Sequence, residues 1–62
     1  MASMIRAAYL DKLVNGVMSL YRYDFQQDIV YSLLDRYDTR RLGKMVEEMK
    51  TSGTESILKY LD

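Results

Sequence analysis

Residues 24–49 read DFQQDIVYSLLDRYDTRRLGKMVEEM and decide how the chain folds. At about 100° per residue, the apolar residues of the first half lie on one side of a helical wheel and those of the second half on the opposite side. One straight helix would need two opposed apolar faces, whereas a break near Asp38 and Thr39 lets both faces turn toward one core. Either residue can also accept a hydrogen bond from the free N–H groups of a new first turn. The stretch therefore predicts two amphipathic helices that meet at a tight corner.

The sequence before and after this stretch predicts two further helices. From about residue 4 to residue 22, apolar residues recur at helical spacing around more than half of the circumference. Asp24, followed three residues later by Gln27, predicts an N-cap with a partner like that of a capping box. Residues 51–54 interrupt the pattern, and Gly53 suits a left-handed C-terminal position. We predict an all-α array, orthogonal or bundle-like, of three main helices at about 4–22, 25–37 and 39–51 and a short C-terminal helix at about 54–61.

The chain is predicted to be a single helical interaction domain over residues 1–62. At this length one core is marginal, and disulfides, metals or oligomerisation often supply the missing stability. Proline is absent and the three glycines stand apart, so no flexible linker divides the chain. The predicted core residues are Ile5, Leu13, Val17, Leu20, Phe25, Ile29, Leu33, Leu42, Met45, Val46, Met49, Ile57 and Leu61.

Composition argues against an enzyme. The chain has no cysteine and no histidine, which removes the thiolate nucleophile, the thiolate zinc site, the commonest general base and the commonest transition-metal ligand. Its carboxylates fall on polar helix faces, where little shifts their pKa toward catalytic use. No glycine-rich phosphate loop occurs. We therefore predict no catalytic residues, no metal and no cofactor.

Charge and hydropathy favour a cytoplasmic protein without a membrane partner. Nine basic residues balance nine acidic ones, so no overall field attracts nucleic acid or an anionic membrane. No apolar run approaches the roughly 20 residues that a membrane span requires.

The first helix and the tyrosines suggest a surface that binds another protein. The apolar face of the first helix is wider than one core needs, so this helix either lies centrally under the others or meets a second molecule. We expect a homodimer or a larger homo-oligomer. Tyrosines suit surfaces that become buried on association, but they equally suit the rim of the chain's own core. The methionines similarly suit either core packing or an adaptable groove. The predicted partner-binding residues are Tyr9, Leu10, Val14, Tyr21, Tyr23 and Tyr31.

A basic cluster surrounds the start of the third helix, where a helix-turn-helix protein presents side chains to DNA. It consists of Arg36, Arg40, Arg41 and Lys44. Acidic residues in the same stretch offset this charge, and DNA binding usually needs an unbalanced basic face. The cluster is either a solvated, self-paired helix face or a contact for an anion or nucleic acid. The sequence thus favours a non-enzymatic regulator, inhibitor, adaptor or assembly subunit, with a helix-turn-helix DNA-binding regulator as the alternative.

Overall fold

The structure, a computed structural model, describes residues 4–20 and 26–61. Within these ranges no strand occurs. The helices are α1 (Met4–Met18), α2 (Gln27–Asp35), α3 (Thr39–Ser52) and a C-terminal 3₁₀ helix (Thr54–Tyr60). The prediction of an all-α fold with three main helices and a short C-terminal helix is confirmed.

The three main helices run up, down and up. Arg6 near the start of α1 binds Asp35 at the end of α2, so these two helices are antiparallel. Further contacts join α1 to α3 in the same chain direction, because Tyr9 packs on Gly43 and Gly16 packs on Met49. The 3₁₀ helix packs against α3 and also touches α1. Helix α1 therefore lies centrally, in contact with every other helix.

One apolar core fills the space between these helices. Its buried residues are Leu10, Leu13, Val14, Val17, Val30, Leu34, Leu42, Met45, Val46, Ile57 and Leu61. Seven of the predicted core residues are confirmed, namely Leu13, Val17, Leu42, Met45, Val46, Ile57 and Leu61. Leu33 and Met49 are half-buried and pack against the core. Leu20 is also half-buried, and Phe25 lies outside the described residues.

Two core predictions were wrong. Ile5 is 60% exposed and Ile29 is 49% exposed. Ile5 stands at the edge of the α1 apolar arc, beyond the part that the neighbouring helices cover. On α2 the buried residues are Val30 and Leu34, so the face of α2 that meets the core is rotated away from Ile29.

The ends of α1 and α2 also differ from the prediction. Helix α1 ends at Met18 rather than near residue 22, and the Ser19 hydroxyl donates to the Gly16 carbonyl oxygen at 2.6 Å just beyond it. A serine that satisfies a carbonyl of the last turn favours such an ending. Helix α2 is preceded by Gln26, which makes no side-chain capping bond. The predicted N-cap Asp24 lies outside the described residues.

The corner between α2 and α3 forms as the sequence indicates. Asp38 is the N-cap of α3, and its Oδ1 accepts a hydrogen bond from the Arg41 backbone N–H at 2.8 Å. Arg6 binds across the corner: its Nη2 donates to the Asp35 carbonyl oxygen at 2.6 Å and to Asp35 Oδ1 at 3.0 Å. At the end of α3, Gly53 has a φ of 90° and a ψ of 158°. The positive φ agrees with the predicted left-handed position, but the extended ψ lies outside the left-handed helical region. The described helices include none that is long and apolar enough to cross a membrane.

Candidate functional site

An open groove of about 500 Å³ lies between the N-terminal halves of α1 and α3. It lies where the two helices run side by side and the Tyr9 ring rests on Gly43. The residues that line it are Ile5, Tyr9, Thr39, Arg40, Gly43, Lys44 and Glu47. We call this surface the α1–α3 groove.

The floor of the α1–α3 groove is apolar. A Cβ atom at Gly43 would lie 3.1 to 3.3 Å from two ring carbons and the hydroxyl oxygen of Tyr9, so the missing side chain is what lets this ring lie on α3. Ile5, one turn before Tyr9, is largely exposed beside it. An exposed isoleucine next to a half-buried tyrosine gives an apolar surface that another molecule could cover.

The rim of the groove carries charges of both signs. Arg40, Lys44 and Glu47 are all exposed, at the i, i+4 and i+7 spacing that places side chains on one face of a helix. Within residues 4–20 and 26–61, none of the three forms an ion pair or a side-chain hydrogen bond. These charges are therefore free for a partner outside the described chain.

The predicted basic cluster divides into two parts. Arg36 and Arg41 lie against the end of the 3₁₀ helix: Arg36 Nη2 donates to the Tyr60 carbonyl oxygen at 3.3 Å, and the Arg41 guanidinium carbon is 5.9 Å from the Tyr60 ring centre. Arg36 also lies 5.4 Å from the ring centre of Tyr37. At such distances a cation is attracted to the ring face. These two arginines thus help to hold the C-terminal segment.

The other two basic residues, Arg40 and Lys44, face the groove. Together with Asp38 and Arg41 they also line a smaller hollow of about 120 Å³ at the start of α3. The Asp38 carboxylate already accepts the backbone N–H of Arg41 there. Because an acidic side chain caps this helix end, the hollow is a weaker anion site than its three cations alone suggest.

A second charged cluster joins α3 to the 3₁₀ helix. Lys59 Nζ lies 2.9 Å from Glu48 Oε2, and the Tyr60 hydroxyl donates to Glu48 Oε1 at 2.8 Å. The hydrogen bonds from Lys59 and then Tyr60 lower the pKa of the Glu48 carboxyl below its ordinary value. The same bonds to Glu48 raise the pKa of Lys59 and of Tyr60. Tyr37 adds a hydrogen bond of 2.8 Å to the Tyr60 carbonyl oxygen. All of these contacts are satisfied within the chain, so the cluster serves the fold.

The structure brings only part of the predicted partner surface together. Tyr9 lines the groove, whereas Tyr31 is exposed on α2, outside it. Leu10 and Val14 are 3% and 2% exposed, because they pack in the chain's own core. Their assignment to a partner-binding surface was therefore wrong. Tyr21 and Tyr23 lie outside the described residues.

Four groove residues belong to neither the predicted partner-binding set nor the basic cluster: Ile5, Thr39, Gly43 and Glu47. The spacing of Glu47 from Arg40 and Lys44 was a signal for a shared helix face. The exposure of Ile5 and the contact at Gly43 had no local signal, because both depend on where α1 lies against α3.

Comparison of the chain with protein-family models, with curated proteins and with solved structures finds no match. Among the described residues, no group of three or more acidic side chains is placed to hold a metal ion.

Proposed function

We propose that this chain is a non-enzymatic protein that acts by binding a protein partner through the α1–α3 groove, as a regulator, inhibitor, adaptor or assembly subunit. The observation that carries the proposal is the exposed Ile5 beside Tyr9, on an open surface whose rim charges have no ion-pair partner among the described residues. Protein interfaces commonly combine an apolar centre that includes tyrosine with a polar rim.

The shape of the groove favours a macromolecule over a small ligand. Sites for small molecules are concave and bury most of the surface of their ligand. The α1–α3 groove is wide open, so a small molecule on its floor would stay largely in water. A protein surface can cover the floor and the rim together.

Affinity capture from host extract tests the proposal with two matched variants. Ile5→Asp places a charge in the groove, and Ile29→Asp places the same charge at a similarly exposed isoleucine of α2. Both positions lie in the first turn of a helix, where an acidic residue favours folding. We expect a protein that the wild type and Ile29→Asp recover and that Ile5→Asp loses, followed by direct binding of that purified protein.

The proposal fails on a clear pair of results. If Ile5→Asp recovers every protein that the wild type recovers, and if both have the same mass in solution, the groove is not a protein-binding surface. Circular dichroism of all three proteins checks that the variants are folded.

One observation favours DNA binding as a second candidate. The corner between α2 and α3 spans only residues 36–38, and Arg40 and Lys44 are exposed just beyond it, as in a helix-turn-helix unit. Replacing Arg40 and Arg41 by alanine should then weaken DNA retention and its dependence on salt. Replacing Lys12 and Lys50 removes the same charge away from the corner and serves as the control. A wild type that shows no DNA shift at low salt excludes this candidate.

A further inference from the structure

Resting on the groove proposed above, we propose that its protein partner is a second copy of the same chain, with the two α3 helices packed antiparallel about a two-fold axis near Gly43 and Lys44. In a two-fold interface each residue contact occurs twice, once in each direction, so the surface must be complementary to itself. The rim of the groove meets this condition.

The charges on α3 carry the proposal. Arg40 and Glu47 lie on the same exposed face, two turns apart, at about 10.5 Å along the helix. This separation keeps them from pairing with each other. An antiparallel copy centred between residues 43 and 44 places Arg40 opposite Glu47 of the partner subunit and Glu47 opposite Arg40 of the partner subunit. Two reciprocal ion pairs form from charges that are unpaired within the described chain.

At the centre of the same arrangement, position 43 of one copy faces position 44 of the other. The Tyr9 ring lies on Gly43, so the Lys44 methylene stem of the other copy packs against this ring. A lysine can bury its stem in this way while its ammonium group stays in water near Glu47 of the partner subunit. Ile5 then stands at the border of the contact, where a second subunit covers part of it.

The corresponding face of α2 lacks this complementarity. Asp28 and Asp35 have the same seven-residue spacing and both are exposed, but Asp35 is already paired with Arg6. An antiparallel α2 pair would place Asp28 opposite this acidic residue, so it would gain no reciprocal ion pair. Helix α2 contains no basic residue that could pair with these acidic side chains, and its exposed apolar residues, such as Ile29, cannot replace one.

Charge exchange at positions 40 and 47 tests the inference by sedimentation equilibrium. We expect the wild type to reach twice the single-chain mass between micromolar and millimolar concentration. Arg40→Glu and Glu47→Arg should each raise the dimer dissociation constant by at least about tenfold, because each creates two like-charge contacts per dimer. The double variant Arg40→Glu/Glu47→Arg restores both pairs with their signs exchanged, and it should regain most of the affinity. Neither change removes a side-chain contact found within the described chain.

Asp11→Arg is the control for Glu47→Arg. It makes the same charge change at an exposed position of α1 that does not line the groove, and it should leave the mass unchanged. A wild type of single-chain mass at millimolar concentration would overturn the inference. So would a dimer that is indifferent to both single changes, or a double variant that remains as weak as they are.

The same measurements separate this inference from the proposed function. If the wild type is monomeric but Ile5→Asp still loses a captured host protein, the second copy is the wrong partner and the groove remains a binding surface. If Ile5→Asp alters neither mass nor capture, the groove itself is wrong.

Discussion

The side chain of Asp38 decides where α2 and α3 separate. Its Oδ1 accepts the Arg41 backbone N–H at 2.8 Å, and the residue itself has extended backbone before the helix begins. A carboxylate at this position satisfies a donor that would otherwise lack a partner and also interacts favourably with the helix dipole.

We expect Asp38→Ala to lower the free energy of unfolding by about 0.5 to 2 kcal/mol, as loss of an N-cap usually does. Asp38→Asn should retain most of the stability, because an amide oxygen accepts the same bond. Urea denaturation followed by circular dichroism measures both. Equal losses in the two variants would show that the carboxylate charge matters here and that the hydrogen bond does not.

Asp38 and Ile5 show which residues could be predicted from the sequence. An N-cap is a local interaction over four residues, so the sequence was sufficient to narrow it to Asp38 or Thr39, and the structure assigns it to Asp38. Ile5 has the helical spacing of a core residue, but its exposure depends on which part of α1 the other helices cover. The same reason explains why Leu10 and Val14 were assigned to a contact surface although they are buried.

At the scale of the elements, α1 and α3 cross closely at Gly16. A Cβ atom placed there would lie 2.7 Å from the Met49 sulfur and 3.2 Å from the Thr54 Cγ2. In a helix alanine is favoured over glycine by about 1 kcal/mol, whereas the close packing at position 16 favours glycine. The absence of a side chain at Gly16 is therefore what lets Met49 of α3 cross α1 at this point.

A double-mutant cycle measures this crossing. Met49→Ala removes the sulfur that would meet the new methyl group, so Gly16→Ala should be more favourable in the Met49→Ala background than in the wild type by at least about 0.5 kcal/mol. Asn15→Ala, one position away and exposed, should show no such dependence on the background. Additive effects of Gly16→Ala and Met49→Ala on the free energy of unfolding would contradict the contact.

The docking of the 3₁₀ helix should depend on pH. Glu48 has a pKa below its ordinary value of 4.5, chiefly because of the hydrogen bond from Lys59. A lowered carboxyl pKa stabilises the fold fully above 4.5, and this contribution is lost as the pH falls through the folded pKa. Tyr60 and Lys59 have pKa values raised above 10.0 and 10.5. Their contributions are complete below those values and are lost as the pH rises through the folded ones.

Urea denaturation over a range of pH tests this dependence. We expect a plateau of stability at neutral pH with a decline on the acidic side and another on the alkaline side. Glu48→Gln should lower the plateau and flatten the acidic decline, because no carboxylate remains there to be protonated. An unchanged acidic decline in this variant would assign the effect to other carboxylates, for which Glu55→Gln in the same segment is the comparison.

For the molecule as a whole, the central place of α1 explains the width of its apolar face. The face is wide because α1 packs against α2, α3 and the 3₁₀ helix at once. The width alone therefore no longer argues for a second molecule, which was the basis of the oligomer prediction. The proposed dimer depends instead on Ile5 and the groove charges, features that only the arrangement of the helices reveals.

A chain of this size has little stability to lose. At roughly 0.05 to 0.15 kcal/mol per residue, 62 residues are stabilised by roughly 3 to 9 kcal/mol. Leu13 is fully buried, and a change of a buried leucine to alanine costs about 2 to 5 kcal/mol. Leu13→Ala should therefore remove much of the total free energy of unfolding and lower the melting temperature sharply, as thermal denaturation followed by circular dichroism would record.

Ile29→Ala deletes similar apolar volume at a half-exposed site and should cost less than about 1 kcal/mol. A cost for Ile29→Ala as large as that for Leu13→Ala would mean that a second subunit covers α2, and it would move the interface away from the α1–α3 groove.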